Sequence, residues 1–362
     1  MADTFHRILV IKLRFLGDVI VTTPVFGALR DRYPGSYLAA AVNKGTEIML
    51  TDHPAIDEIF TVERGGNVLR DLMLQLRLIR DLRKRRFDLA IELTRNDRGA
   101  ILSFLSGAKR RIGLEAFKRK RIDRHLLFTD LIPSVVGEHM VDRHLRTIEH
   151  LGIVPLEREP ALYFRPEDEL SCRRIVESQG LSWDTPFVVL HPIHRTGFRA
   201  WRKDGYALLC DELDHRYGMQ TILVCAKDPV ETGYVDGIVA LCGRKPVHLG
   251  GKLTVKELLA LIKRARLFIG IDSGPMHMAT GVKTPVLAIF GPQRKDLWGP
   301  YGKAHTVIQK TWDCVPCTLR GCRDDSRYSR CLDELTTEEV FAAVEEKMKQ
   351  IGVPDKAPSF GG

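Results

Sequence analysis

Four stretches of the 362-residue chain concentrate side chains that can do chemistry. The first, IKLRFLGDVIVTTP, ends an apolar run and places Gly17 and Asp18 where a strand turns sharply into a helix. A carboxylate there faces a cleft at the end of a sheet, where it can accept protons or hydrogen bonds. Its structural alternative is to cap the helix through a backbone N–H. One glycine does not make G-x-G-x-x-G, so a dinucleotide site and hydride transfer lose weight. The second, FIGIDSGPMHMATGVKTPVLAIFGP at 268–292, ends a buried strand at Asp272 and opens a short helix. The N–H groups of Ser273, Gly274 and Met276 would lie at its positive end, a ready phosphate site. His277 falls on the first turn, where the plainer reading is a hydrogen-bonded core or cap residue.

The third stretch, VVLHPIHRTGFRAWRKDGYALL at 188–209, ends a strand at His191 and carries Arg195, Arg199, Arg202 and Lys203 on the loop beyond. Cations there can neutralise a diphosphate, guanidinium doing so through two parallel hydrogen bonds. The alternative is a solvated loop, against which Trp201 argues, since tryptophan usually anchors a loop by packing. In the fourth, Cys314, Cys317, Cys322 and Cys331 are spaced C-x2-C-x4-C-x8-C. Four thiols can complete a tetrahedral structural zinc or Fe–S site, or they are reduced packing thiols or a redox-sensitive loop.

These residues need strands and helices to hold them. Aliphatic runs alternate with helical patterns throughout, as in β-α units on parallel sheets. The first series predicts strands at Ile8–Lys12, Tyr37–Val42, Glu58–Val62 and Asp88–Leu93, with helices over 18–32, 67–86 and 138–151. The proline-bearing stretch 153–169 reads as an interdomain linker. The second series predicts strands at Phe187–His191, Thr221–Cys225, Val247–Leu249, Leu267–Ile271 and Val286–Phe290, with helices over 203–217, 230–241, 254–265 and 275–281. A last helix near 336–350 is expected to be able to pack back on the first domain. The expected domains are 1–155, 156–335 and a tail, 336–362. Ligands of open parallel sheets bind beyond the carboxyl ends of the strands, where Asp18, Arg199 and Asp272 fall.

Composition bounds the partners. The chain is 44% hydrophobic and 28% charged, which suits two soluble domains and excludes disorder. Its apolar runs are too short to span a bilayer, and its amino terminus lacks the h-region of a secretory signal. A cytosolic protein with eight reduced cysteines is expected. The net charge of +9 is concentrated: residues 64–125 hold 18 Lys and Arg against 7 Asp and Glu, and the remainder sums to −2. Within this region, 68–87 reads as an amphipathic helix with Leu72, Leu76, Ile79 and Leu82 on one face. No RRM-like or helix-turn-helix signature accompanies the charge, so nucleic acid is not the expected partner.

The first three stretches together resemble the ADP-heptose:lipopolysaccharide heptosyltransferases of glycosyltransferase family 9. The resemblance runs from RILVIKLRFLGDVIVTTP through HPIHRTGFRAW to FIGIDSGPMHMATGVKTPVLAIFGP, nearly the whole chain. The K-x-R-F-x-G-D form at Lys12–Asp18 looks most like core heptosyltransferase III; types I and II more often carry small hydroxylated residues where Arg14 and Phe15 stand. The resemblance implies an α/β, GT-B fold of two Rossmann-like domains facing across a cleft, the first binding acceptor and the second donor. It implies Asp18 as general base, Arg199 at the position of a donor-phosphate lysine and Asp272 as an aspartate that helps hold the heptose. Ser273, Gly274, Pro275 and His277 fall on the diphosphate turn. Glu231, or alternatively Asp228, matches an acidic residue that touches the nucleotide sugar. Lys12, Arg14, Gly17 and Arg195 are loop and acceptor-side candidates.

The implied reaction is inverting transfer of heptose from ADP-L-glycero-β-D-manno-heptose to the phosphorylated lipopolysaccharide core. It implies no required cofactor, and no D-x-D metal motif stands at a strand end. The implied location is cytoplasmic, peripheral on the inner membrane, with the basic region toward an anionic glycolipid. The alternatives are a GT-B transferase with another nucleotide sugar or acceptor, and a catalytically silent nucleotide-sugar-binding protein.

Overall fold

The computed structural model describes residues 4–63, 66–115, 123–194, 197–322 and 328–355. Two compact units, Met1–Tyr163 and Phe164–Gly362, divide the chain. In the first, β1 (Arg7–Lys12), β2 (Tyr37–Asn43), β3 (Glu58–Val62), β4 (Leu89–Glu92), β5 (Arg110–Leu114) and β6 (Asp130–Ile132) form one sheet in the order β3-β2-β1-β4-β5-β6. Every pairing is parallel. Ile8 to Ile11 are buried because helices cover both faces of a parallel sheet, which is why this strand reads as a continuous apolar run. The helices are α1 (Leu16–Ile20), α2 (Thr23–Arg32), α3 (Val68–Arg85), α4 (Asp97–Leu105) and α5 (Met140–Glu149).

The helix expected over 18–32 is two helices. The Thr22 and Thr23 hydroxyls donate to the Val19 and Ile20 carbonyls at 2.6 and 2.8 Å, which ends α1. Pro24, with no N–H to give, then sits in the first turn of α2. Asn67 caps α3 by accepting the Arg70 N–H at 2.9 Å. Gly99 in α4 is required by a close approach: a Cβ there would stand 2.4 Å from Glu92 Oε1.

The second unit repeats the winding. Its strands β7 (Phe187–His191), β8 (Gln220–Leu223), β9 (Val247–His248), β10 (Leu267–Ile271), β11 (Val286–Ile289) and β12 (His305–Ile308) lie in the order β12-β11-β10-β7-β8-β9. All are parallel. Its helices are α6 (Pro166–Ser178), α7 (Lys203–Tyr217), α8 (Pro229–Leu241), α9 (Val255–Arg264), α10 (Gly274–Gly281), α11 (Lys295–Trp298), α12 (Arg330–Asp333) and α13 (Thr337–Gln350). Read from its own first strand, each sheet has the Rossmann order 3-2-1-4-5-6, the pair of units that makes the GT-B class.

One expectation is revised. The stretch 153–169 is not wholly linker, because Pro166 opens α6, which packs on α9 with Ser171 donating to Glu257 Oε1 at 2.6 Å. Val340, Val344 and Met348 of α13 (Thr337–Gln350) belong to the second unit's core with Leu209 and Leu213. A capping box between Thr336 and Glu339 starts that helix.

Candidate active site

Strand order reverses between β1 and β4 in the first unit and between β7 and β10 in the second, so the loops beyond these four strands diverge and open a crevice in each unit. The candidate residues lie on these loops. After β1, Asp18 occupies the third position of α1, whose cap position is held by Phe15 without a side-chain bond. The capping role considered for Asp18 is therefore not the one it plays. Its carboxylate lies 3.6 Å from the Lys12 ammonium. Gly17, expected to shape a turn, is a residue of α1 itself.

Lys12 is buried, unlike an acceptor-contacting surface cation. Its Nζ donates to the Leu93 carbonyl at 3.1 Å and lies 2.9 Å from His144 Nε2. His144 Nδ1 is 3.1 Å from the Val21 carbonyl, which can only accept, so Nδ1 carries the proton and Nε2 accepts from Lys12. Burial lowers the Lys12 pKa to about 8, while Asp18 and Glu92 pull the other way. Burial, and then Lys12 itself, holds His144 well below its ordinary range. Glu92, at the end of β4, accepts the Thr94 and Arg95 N–H groups at 2.8 and 2.9 Å and Arg124 Nη2 at 2.6 Å. The Thr94 hydroxyl accepts the Leu13 N–H at 2.8 Å, tying the β1 and β4 loops together. Arg14 is exposed, and its carbonyl accepts from Asn43 at 3.1 Å.

In the second unit, Arg199 reaches the end of β10. Its Nη1 lies 3.0 Å from Asp272 Oδ2 and 3.0 Å from the Asp272 carbonyl. Burial raises the Asp272 pKa and Arg199 opposes the rise. The loop is anchored by Trp201, buried against Tyr206 with its indole N–H donating to the Leu335 carbonyl at 2.8 Å. Arg195 lies outside the described residues. Ser273 is extended at the cap of α10, its hydroxyl 3.3 Å from His191 Nδ1 and 3.1 Å from the Ile271 carbonyl. The backbone N–H groups of Gly274 and Met276 precede the first helical bond, from the His277 N–H to the Ser273 carbonyl. Pro275 takes a first-turn position, where a missing N–H costs nothing. With Arg199 beside them, these donors can hold a diphosphate.

Two further candidates do structural work. Asp228 caps α8, accepting the Val230 and Glu231 N–H groups at 2.9 and 3.2 Å. Glu231 is buried and accepts the Ala226 N–H at 2.9 Å, closing the loop after β8. His277 is buried with its ring 6.2 Å from that of Trp298. The residues that sequence reasoning missed, His144, Glu92 and Thr94, are joined to the β1 loop only by long-range contacts.

The four cysteines of the loop differ in burial. Cys331 packs in the second unit's core while Cys314 is exposed. Burial, with the charges of Cys322, Cys317 and Cys314, pushes the Cys331 thiol up to about 11. Among the described residues no group of three or more His, Cys, Asp or Glu is arranged to hold a metal ion. All eight cysteines are free thiols.

Comparison with known proteins places these features in context. The family model described as glycosyltransferase family 9 (heptosyltransferase) matches residues 75–327. Lipopolysaccharide heptosyltransferase 3 of Escherichia coli K12 is 31% identical over 96% of this chain and 98% of its own length. A family 9 glycosyltransferase from Veillonella parvula has a similar structure, with a TM-score of 0.84 at 22% identity over 97% of this chain and 99% of that one. The Escherichia coli ADP-heptose lipopolysaccharide heptosyltransferase II gives a TM-score of 0.75 at 20% identity, covering 95% and 99% of the two chains.

Proposed function

The chain belongs to glycosyltransferase family 9, and on that premise we propose that it moves heptose from ADP-L-glycero-β-D-manno-heptose to a hydroxyl of the phosphorylated lipopolysaccharide inner core, with type III-like acceptor choice. The observation that carries the reading is Asp18: a carboxylate at the β1–β4 switch point whose near neighbour is a buried cation and not a helix N–H. An acceptor hydroxyl is too weak an acid to ionise unaided, so Asp18 takes its proton as the oxygen attacks the anomeric carbon. The bond from that carbon to the diphosphate oxygen breaks as the new one forms, which inverts the centre and expels ADP. Arg199 and the N–H groups at the start of α10 receive the negative charge that develops on the leaving phosphate. Asp272 orients Arg199 and helps hold the heptose, and Glu231, besides closing the loop after β8, offers its remaining carboxylate oxygen to the nucleotide sugar.

In this scheme fixed cations and helix-end donors stabilise the leaving group, so turnover needs no metal. The protein works at the cytoplasmic face of the inner membrane, where its glycolipid acceptor is presented; among the described residues no helix is long and apolar enough to cross a bilayer. The test is transfer to purified core acceptor in excess chelator, with ADP-heptose and UDP-sugars in competition. Mass spectrometry should find one added heptose from ADP-heptose. Transfer from a UDP-sugar points to another GT-B activity, and donor binding without any product points to a silent binding protein.

A further inference from the structure

The leucines of α3 divide between two faces. Leu78 and Leu82 enter the first unit's core beside Phe87. Leu72 and Leu76, which helical periodicity groups with Leu82, are instead 54% and 56% exposed. Val68, Leu69 and Met73 are exposed by 83%, 75% and 55%. At about 100° per residue these five side chains fall within an arc of roughly 140° on the amino-terminal half of the helix, bordering the face that Ile79 and Leu82 turn to the core further along. The covered side of α3 accounts for its place in the fold, and among the described residues nothing buries these five side chains.

Cations border this exposed face. Arg70, Arg77 and Lys84 recur every seven residues along one edge, and Arg80 and Arg83 extend the outward face toward the carboxyl end. Against them the helix carries Asp71 and Asp81. We propose that this face of α3 docks the first unit on an anionic lipid bilayer, its apolar side chains entering the headgroup boundary and its arginines and lysine meeting lipid phosphates. Contiguous exposed apolar surface marks an interaction site, and the charge selects the occupant. A second copy would set two helices of like net charge against one another, which repel. A nucleic acid would use the cations and leave the leucines wet. An anionic bilayer satisfies both sets of side chains, as interfacial amphipathic helices do.

The purpose of such docking rests on the glycolipid acceptor proposed above, but the docking itself is tested without it. The full chain is floated with phosphatidylglycerol-containing vesicles and with phosphatidylcholine vesicles, at low and high salt. Binding is expected to the first, weakened by salt, and to fall at least tenfold in the Leu69→Ser/Leu72→Ser/Leu76→Ser variant. The Arg77→Ser/Lys84→Ser variant should lose the salt dependence. Because the substituted positions are exposed, the thermal midpoint should stay that of the parent. Met73→Trp gives an independent readout: its fluorescence should shift to the blue and be quenched by brominated lipid. An unshifted emission from the Met73→Trp protein, or vesicle binding by the triple-Ser variant equal to the parent's, overturns the proposal. So does a parent dimer that the triple-Ser variant converts to monomer with vesicle binding unchanged. Turnover of a deacylated, water-soluble acceptor separates the two readings: its absence in the parent protein counts against heptose transfer and leaves the vesicle result standing.

Discussion

Lys12 lies between two partners of opposite use: its ammonium donates to His144 Nε2 at 2.9 Å and stands 3.6 Å from Asp18 Oδ1. The histidine is itself fixed by the Val21 carbonyl, so the tautomer, the ammonium and the carboxylate form one chain of positioning. The carboxylate proposed as base is thus held beside a buried cation.

The protonation of Lys12 should be visible in stability. The Lys12 pKa falls from 10.5 to about 8 on folding. Between those values the unfolded chain binds more protons, so stability rises as pH rises from 8 toward 10.5 and is lost again as pH falls through 8. The slope is at most ~1.4 kcal/mol per pH unit. The buried thiols of Cys172, Cys225 and Cys331, pushed up to about 11 to 12, oppose this rise in any variant, so in denaturant titrations at pH 8 to 10 it should appear as a parent-minus-Lys12→Met stability difference that grows with pH.

On the acid side the buried histidines act together. His191 and His53 are held at about 4 by burial. The stability that comes with their neutral forms is fully present above about 6.5 and is lost as pH falls toward 4, by up to ~1.4 kcal/mol per pH unit for each. Urea midpoints measured between pH 7 and 5 should fall accordingly. In His53→Gln the fall should be shallower; an unchanged slope would assign the acid sensitivity elsewhere.

Arg199 is held in place by Asp272 through both its carboxylate and its carbonyl. Arg199→Met should weaken ADP binding, measured calorimetrically, by about tenfold to a hundredfold, the worth of hydrogen bonds to a charged group, ~1.5 to 3 kcal/mol. Arg199→Lys should recover part of the loss, because a point charge replaces a fork. Equal ADP affinity in all three proteins would remove Arg199 from the diphosphate site.

Much of this site was legible before the structure, for a physical reason. β1, β7 and β10 are buried on both faces, so each is a continuous apolar run whose end is marked by the first polar residue, and Lys12, His191 and Asp272 stand at or just past those ends. β5, which reads RRIGL, and the three-residue β6 lack such a run and escaped notice. So did α6, hidden by its opening proline and its charges. His144 and Thr94 carry no local signal, because their partners stand 132 and 81 residues away in the chain. Periodicity put Leu72, Leu76 and Leu82 on one helix face but could not say which part of it the sheet would cover.

The central claim is that Asp18 takes the proton of the acceptor hydroxyl, and Asp18→Asn tests it most directly. The amide keeps the shape and loses the basicity. Single-turnover transfer from ADP-heptose to purified core acceptor, with ADP affinity and thermal midpoint measured on the same preparation, should show the rate down by about 10²- to 10⁴-fold and the other two unchanged. A rate within a few fold of the parent, with binding and folding intact, would contradict the account.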